Sequence, residues 1–206
     1  MDRLGLYNEA LRILGERRLA SIDEDREPGR LLNDAWDANA HDAWLEEQDW
    51  NFALRSVQIG MDPSVETPWG YQFGFQKPED MVRLSGIYTD EYMQVPFRNY
   101  QDEGKYWFAE SFPEIWIQYV SRADTKGGNI GFWPRSFAKY VAAFLAREIA
   151  PRLRNDVDLR AVEAEFVKRE RHAKSKDALN SPSKPFPRGT WVGSRLAGAR
   201  RDGSFR

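Results

Sequence analysis

The hydrophobic positions between residues 28 and 59 follow two different periods. Up to residue 43, apolar residues recur every three or four positions, as on one face of a helix. These residues are Leu32, Ala35, Trp36, Ala40 and Ala43. After Gln48 the apolar residues alternate with polar ones, which is typical of a half-buried strand. These residues are Trp50, Phe52, Leu54, Val57 and Ile59. The pattern predicts a long helix that begins at Pro28 and continues without a linker into a strand.

The three- and four-residue spacing predicts three further helices. The first runs from Arg3 to Leu14 and ends at Gly15, which can take the left-handed conformation that stops a helix. The others run from Pro134 to Leu153 and from Asp158 to Leu179, and should form a hairpin. We expect the helices of both chain ends to share one core. Its predicted members are Leu11, Leu32, Trp36, Ala40, Phe137, Val141, Phe144 and Leu145.

Short runs of alternating and aromatic residues, separated by Pro and Gly, predict an antiparallel β region between the helices. The predicted strands are Ala53–Ile59, Gly70–Lys77, Met81–Thr89, Val95–Tyr100, Lys105–Ala109 and Ile115–Ser121. A turn is expected at Asp102–Gly104 and a flexible loop at Thr125–Gly131. Cross-strand pairing accounts for many of the aromatic residues of this region without any further role.

These elements predict an α+β fold in which a β region is inserted into a helical bundle. Residues 1–55 form the first helical half, residues 56–131 the β region and residues 132–180 the second helical half. Residues 181–206 contain three Pro and four Gly without a sustained apolar period, so we expect an extended tail that orders only against a partner.

Charge is distributed unevenly along the chain. Residues 168–206 contain 11 Lys and Arg against 3 Asp and Glu, whereas the whole chain of 206 residues has a net charge of −2. An acidic body with a basic end indicates two different partners. The chain has no Cys, which excludes disulfides and thiolate chemistry. No apolar run reaches the roughly 20 residues of a membrane helix, and we expect no signal peptide and no membrane partner.

The residues that could carry chemistry do not form a recognisable catalytic or metal-binding pattern. Asp34, Asp37, Asp42 and Glu46 could project from the long helix as an acid/base pair, but their spacing is also that of a solvated face. His41 and His172 have no second His or Cys at ligand spacing. The Thr125–Gly131 loop lacks the order of a phosphate-binding loop. We therefore expect no enzyme activity, no metal and no cofactor.

The basic tail could bind either nucleic acid or a protein surface. Arginine side chains pair with phosphates or with carboxylates, and aromatic side chains anchor protein interfaces. The candidate docking residues are Arg188, Trp191, Arg195, Arg200, Arg201, Phe205 and Arg206.

Several elements of the chain resemble the head-to-tail adaptor proteins of tailed phages, in particular the tail tubular protein A family of short-tailed phages. The matching elements are Leu14 and Gly15, the acidic turn Ser21–Asp25, the helix Leu31–Trp44 and the closing Trp50–Ala53. The resemblance continues from Trp133 to the end of the chain. It implies a non-enzymatic structural protein of the virion neck.

The adaptor resemblance also implies a set of partners. Twelve copies would form a ring beneath the portal protein, bind a downstream tail or nozzle protein, and pass DNA through a channel without sequence-specific binding. The family uses its C-terminal end to grip the portal, which favours protein docking for the basic tail. Two alternatives remain from the residues themselves: a nucleic-acid-binding protein that uses the basic segment, and a virion-associated cell-wall hydrolase.

Overall fold

A computed structural model describes residues 1–39, 42–153 and 157–181. Within these residues the chain forms five α-helices and two three-stranded antiparallel sheets, which confirms the predicted α+β class. The helices are α1 (Arg3–Leu14), α2 (Glu27–Asn39), α3 (Asp42–Leu45), α4 (Arg135–Ile149) and α5 (Leu159–Asn180). The strands are β1 (Leu54–Gly60), β2 (Phe73–Gln76), β3 (Met81–Tyr88), β4 (Tyr100–Glu103), β5 (Tyr106–Ala109) and β6 (Glu114–Ser121).

Helix α4 lies at the centre of the helical bundle and packs against α1, α2 and α5. Its small residues Ala138, Ala142 and Ala146 are buried, which lets the neighbouring helices approach closely. Helices from both ends of the chain therefore share one core. The predicted core residues with at most 4% exposure are Leu11, Leu32, Trp36, Phe137, Val141 and Leu145. Phe144 is half-buried against the same core, and Ala40 lies outside the described residues.

Helix α1 has the predicted bounds because both of its ends are capped. The Asp2 carboxylate accepts a hydrogen bond from the backbone N–H of Gly5 at 2.9 Å, which satisfies a free donor of the first turn. At the other end Gly15 has a φ of 74°, and its backbone N–H bonds back to the last turn. This left-handed cap ends the helix at Leu14.

The predicted direct passage from helix to strand is wrong between residues 46 and 53. Helix α3 ends at Leu45, residues 51–53 form a turn, and β1 begins at Leu54. The indole N–H of Trp50 donates a hydrogen bond to the Trp44 carbonyl at 2.9 Å, and the Trp50 ring lies 4.7 Å from that of Phe137. Because Trp50 belongs to the helical core, it does not take part in the alternation of the strand.

The two sheets have the strand orders β1–β6–β3 and β2–β5–β4. In the first sheet, β1 and β6 pair from Leu54 opposite Val120 to Gly60 opposite Glu114. Leu54 and Val120 pack into the helical core, whereas the other end of the pair lies away from it. A second apolar cluster, which includes Phe75 and Trp107, contains residues of both sheets. The chain thus enters and leaves the β region through two neighbouring strands.

The predicted strand Val95–Tyr100 is wrong, because the strand in this part of the chain is β4 and only Tyr100 belongs to both. The carboxylate of Asp90 accepts the backbone N–H groups of Gln94 at 3.0 Å and Val95 at 2.7 Å. This side-chain capping holds residues 90–95 in a loop instead of a ladder.

The predicted turn at Asp102–Gly104 begins later than expected. Asp102 and Glu103 belong to β4, and the turn consists of Gly104 and Lys105. Gly104 has a φ of 54°, a conformation that glycine adopts without steric cost. The result is a two-residue hairpin between β4 and β5, with Glu103 opposite Tyr106.

The predicted helix Pro134–Leu153 is divided near its end. Helix α4 stops at Ile149 and a short 3₁₀ turn follows at Ala150–Arg152. Pro151 lacks the N–H that an α-helix would use here. Helix α5 begins after Asp158, whose carboxylate accepts the backbone N–H groups of Arg160 and Ala161. Among the described residues, no helix combines the length and the hydropathy that a membrane-spanning segment requires.

Candidate functional site

The carboxylates considered as an acid/base pair do not share one site. Asp34 and Glu46 are exposed, on α2 and just after α3 respectively. Asp37 pairs with Arg3 at 3.5 Å, whereas Asp42 pairs with Arg122 at 2.9 Å. Each side chain thus has its own surroundings, as expected of a solvated face.

The other residues weighed for chemistry are also apart from one another. His172 is exposed on α5, and His41 lies outside the described residues. Across the described ranges, no group of three or more His, Asp or Glu is arranged to hold a metal ion. In the Thr125–Gly131 loop, a Cβ on Gly128 would lie 2.1 Å from the Arg122 carbonyl oxygen. Glycine is therefore required here for close backbone approach.

The candidate docking residues of the tail lie outside the described residues. They are Arg188, Trp191, Arg195, Arg200, Arg201, Phe205 and Arg206. The last described residue is Ser181, whose hydroxyl accepts a hydrogen bond from the Asn51 side-chain amide at 2.8 Å. The tail therefore leaves the fold beside the turn that precedes β1.

The end of α5 is fixed to that same turn by a buried carboxylate. Asp177 is 9% exposed and accepts a hydrogen bond from the backbone N–H of Asn51 at 3.1 Å. The Asn51 side-chain amide donates to the Asp177 backbone carbonyl at 2.8 Å. Burial raises the pKa of Asp177, while the hydrogen bonds from Asn51 oppose that rise. These contacts join the helical bundle to the start of the β region.

A groove between α4 and α5, with a volume of about 750 Å³, has five cationic side chains among the ten residues that line it. We call it the α4/α5 groove. It is lined by Arg135, Ser136, Lys139, Glu165, Lys168, Arg169, His172, Lys176, Leu179 and Asn180. Lys168, His172 and Lys176 follow at four-residue steps, which places them on one side of α5. Pro134 gives the first turn of α4 no side-chain cap, so its N–H groups add partial positive charge.

Arg169 is the one groove cation that is buried, and it links three helices. Its guanidinium lies 2.9 Å from Glu9 of α1 and 2.7 Å from Glu165 of α5, and it also donates to the Lys139 carbonyl of α4. Hydrogen bonds from Arg12 and then Arg169 lower the pKa of Glu9 to about 2. The charge of Arg169 is thus neutralised by carboxylates within the bundle.

The end of the first sheet that lies away from the bundle exposes large apolar side chains. We call this set the far rim: Met61, Trp69, Tyr92, Val95 and Phe112. They belong to the loops that follow β1 and β3 and precede β6. Trp69 is fully exposed, at 101%, and Tyr92 is 75% exposed.

The loops of the far rim also contain strained backbone. Met93 has a φ of 55° and Phe112 a φ of 73°, and no other described residue except glycine has a positive φ. Such conformations cost energy for residues with a side chain and are concentrated at functional surfaces. The Phe112 ring is held by a T-shaped contact with Phe97 at 5.8 Å. Two of the loops that form the far rim therefore contain a strained backbone.

A polar cluster secures the side of the first sheet near the bundle. The Asp80 carboxylate accepts hydrogen bonds from Tyr119 at 3.1 Å and from the Ser121 hydroxyl, and it pairs with Arg55 at 3.0 Å. Burial and the Asp80 charge raise the pKa of the Tyr119 phenol to about 12. The cluster ties the turn before β3 to β1 and β6, which is a structural role.

Sequence reasoning did not find the α4/α5 groove or the far rim. The four-residue spacing of Lys168, His172 and Lys176 was visible, but the facing residues Arg135 and Lys139 are about 30 positions earlier, by the residue numbers. No protein-family model matches the chain, and no curated protein matches it. The adaptor resemblance therefore depends on the sequence elements quoted above.

Proposed function

We propose that this chain is a structural virion protein that forms an adaptor ring between the portal and the tail and provides the channel for DNA passage. One observation supports the proposal most directly: the far rim and the exit of the tail are separate surfaces. The seven residues of β1 lie between them, a distance of about 20 Å at the usual rise of a strand. A protein that joins two others needs two such surfaces.

The far rim is the surface that we assign to the downstream tail or nozzle protein. Exposed aromatic side chains are enriched at protein interfaces, where their large apolar area is removed from water. A rim with the fully exposed Trp69 and the largely exposed Tyr92 has the chemistry of such an interface. Hydrogen bonds from the Gln94 and Val95 N–H groups to Asp90 order the loop that carries Tyr92, and order before binding lowers the entropy cost of association.

The basic tail is the segment that we assign to the portal. It begins after Ser181, at the junction of the bundle and the β region, and the chain from residue 181 to the end has five more basic than acidic residues. Arginine pairs well with carboxylates, and the tail sequence also supplies Trp191 and Phe205 as apolar anchors. The acidic remainder of the chain suits a channel through which anionic DNA moves without adhering.

Mass measurement of the full chain with and without purified portal tests the proposal. We expect the free protein to be monomeric or weakly associated, and to add about twelve copies to each portal. Serine substitutions at Trp69 and Tyr92 should leave portal binding unchanged but abolish capture of the downstream tail protein. Serine at Phe132, an exposed aromatic residue outside the far rim, should leave that capture intact. A portal whose mass does not change would contradict the proposal.

A nucleic-acid-binding protein is the second candidate, and the basic side chains of the α4/α5 groove favour it. Salt-dependent binding of duplex DNA by the isolated chain, without portal binding, would support this candidate. For the hydrolase alternative, the supporting result is turnover of a cell-wall polymer that is lost when one carboxylate is substituted.

A further inference from the structure

We infer that the α4/α5 groove binds the acidic surface around α2 of a second copy of this chain. We define the α2 acidic surface by its exposed carboxylates, Asp23, Asp25, Glu27, Asp34 and Asp37. Only the closure of such contacts into a ring rests on the proposed function. The contact itself is a property of the free chain and can be measured without a portal.

The groove holds cations that have no carboxylate partner within the described chain. Arg135, Lys139 and Lys176 form no ion pair with any described residue, whereas Lys168 lies 3.6 Å from Glu165. Several like charges in one concave surface repel one another, and that repulsion is relieved when an anionic partner enters. The groove is therefore complementary to a surface that presents several carboxylates.

The α2 acidic surface has the matching excess of negative charge. Glu27 and Asp34 are seven residues apart and lie on one face of α2. Between residues 21 and 39, Arg30 is the only exposed basic residue among those whose side chains the structure describes. Arg30 lies 3.7 Å from Asp25, so the carboxylates of Glu27 and Asp34 keep their charge available.

The two surfaces lie on different sides of the bundle. On α1, Tyr7 donates to Asn33 of α2 at 3.0 Å, whereas Glu9 pairs with Arg169 of α5 at 2.9 Å. Residues two positions apart on a helix point in nearly opposite directions. Helices α2 and α5 therefore flank α1 on different sides. A contact between the α4/α5 groove of one copy and the α2 acidic surface of the next joins the copies head to tail, which is the geometry that generates rings.

The remaining segment of this chain does not complement the groove. Residues 181–206 have five more basic than acidic residues, so their net charge has the same sign as that of the groove. Charge complementarity therefore selects the α2 acidic surface of another copy over the chain's own tail.

Zero-length carbodiimide cross-linking tests the contact directly, because it joins only lysine and carboxylate groups that touch. Full-length protein is mixed with isotopically labelled full-length protein at low salt, so that links between copies can be told from links within one. We expect mixed-isotope links from Glu27 or Asp34 to Lys139, Lys168 or Lys176. Links that instead reach Lys105 equally often, or an absence of mixed-isotope links, would overturn the inference.

Reciprocal charge reversal provides the second measurement, by sedimentation at increasing protein concentration. One variant carries Lys139→Glu and Lys176→Glu, and the other carries Glu27→Lys and Asp34→Lys. Either variant alone places like charges on both sides of the contact, so self-association should weaken by about tenfold or more. An equimolar mixture of the two restores opposite charges and should restore association. A mixture as weak as its components would contradict the proposed pairing.

A matched control keeps the number of reversed charges but moves them away from the groove. Arg98→Glu with Lys105→Glu changes two exposed basic residues in the β region. This variant should associate as the unmodified chain does. Weakening equal to that of the groove variant would show an effect of net charge alone and would count against the specific contact.

The results separate this inference from the proposed function. Copies that cross-link as expected but never bind the portal would support the contact and contradict the adaptor role. If the Lys139→Glu, Lys176→Glu variant adds as many copies to each portal as the unmodified chain does, the adaptor role is supported and the contact is contradicted. Duplex DNA that binds the unmodified chain and not this variant, without links between copies, would overturn the inference and assign the groove to a phosphate backbone.

Discussion

The Asp177 carboxylate accepts the backbone N–H of Asn51 across 126 residues of chain, at 3.1 Å. This bond fixes the last turns of α5 to the turn before β1, at the point from which the tail departs. It replaces a partner that the Asn51 N–H would otherwise find only in water, and a buried donor without a partner is costly.

Replacing Asp177 by Ala should lower the free energy of unfolding by about 1–3 kcal/mol, the usual cost of an unsatisfied buried donor. Asp177→Asn should cost less, because its amide oxygen still accepts one hydrogen bond. Burial raises the pKa of Asp177 in the folded state, so its ionisation lowers stability as the pH rises above the unfolded value of about 3.8. In urea unfolding, the unmodified chain should therefore lose stability relative to Asp177→Asn as the pH rises above about 3.8.

Glu9 should have the opposite effect on the pH dependence of stability. Its pKa is lowered from 4.5 to about 2, so its contribution is full above the unfolded pKa and is lost as the pH falls through the folded one. Because Glu9 is only partly buried, solvent screens part of this interaction, and Glu9→Gln should cost about 1–2 kcal/mol at neutral pH. The variant and the unmodified chain should converge in stability near pH 2. A constant difference at every pH would show that lost packing, not charge, is the cause.

Trp36→Ala should destabilise the fold by about 3–5 kcal/mol, as expected for an aromatic side chain removed from a core. Trp36 is 4% exposed, and its ring lies 5.3 Å from that of Trp44. Trp69→Ala is the matched control, because Trp69 is fully exposed and should change the thermal midpoint very little. Equal effects of the two substitutions would contradict the placement of Trp36 in the core.

Removal of residues 182–206 should leave the fold intact and abolish attachment to the portal. The truncation keeps Ser181, whose backbone N–H closes the end of α5 and whose hydroxyl bonds to Asn51. The thermal midpoint should therefore be unchanged, and the loss of binding should not be reproduced by adding DNA as a competitor. A truncated chain that still assembles on portals would remove the docking role from the tail and favour nucleic acid as the target of its arginines.

Local sequence was sufficient to predict the end of a helix where a capping residue lies at that end. The bounds of α1 follow from its periodic apolar face and Gly15, and Asp158 marks the start of α5 in the same way. The prediction failed at Trp50, whose spacing fits a strand but whose ring packs against Phe137 of a distant helix. A contact across so many residues is not encoded in the local period, so tertiary packing decided the conformation.

The contact surfaces could not be predicted for a related reason. The α4/α5 groove exists only when the first turns of α4 lie beside the second half of α5, and sequence spacing shows each helix separately. The far rim likewise depends on strand register, which brings Gly60 opposite Glu114 and thereby gathers loops from distant parts of the chain. Composition indicated unequal charge along the chain but not the places where opposite charges face outward.

The central position of α4 has a consequence for the order in which the chain folds during synthesis. Helices α1 and α2 emerge first, yet the helix they pack against begins only at Arg135. The β4–β5 hairpin needs only neighbouring residues and can form as it emerges, whereas the N-terminal helices must wait for a distant partner. We expect hydrogen exchange on ribosome-bound chains of increasing length to show β4 and β5 protected before α1. The bundle is then completed last, by the segment made just before the tail.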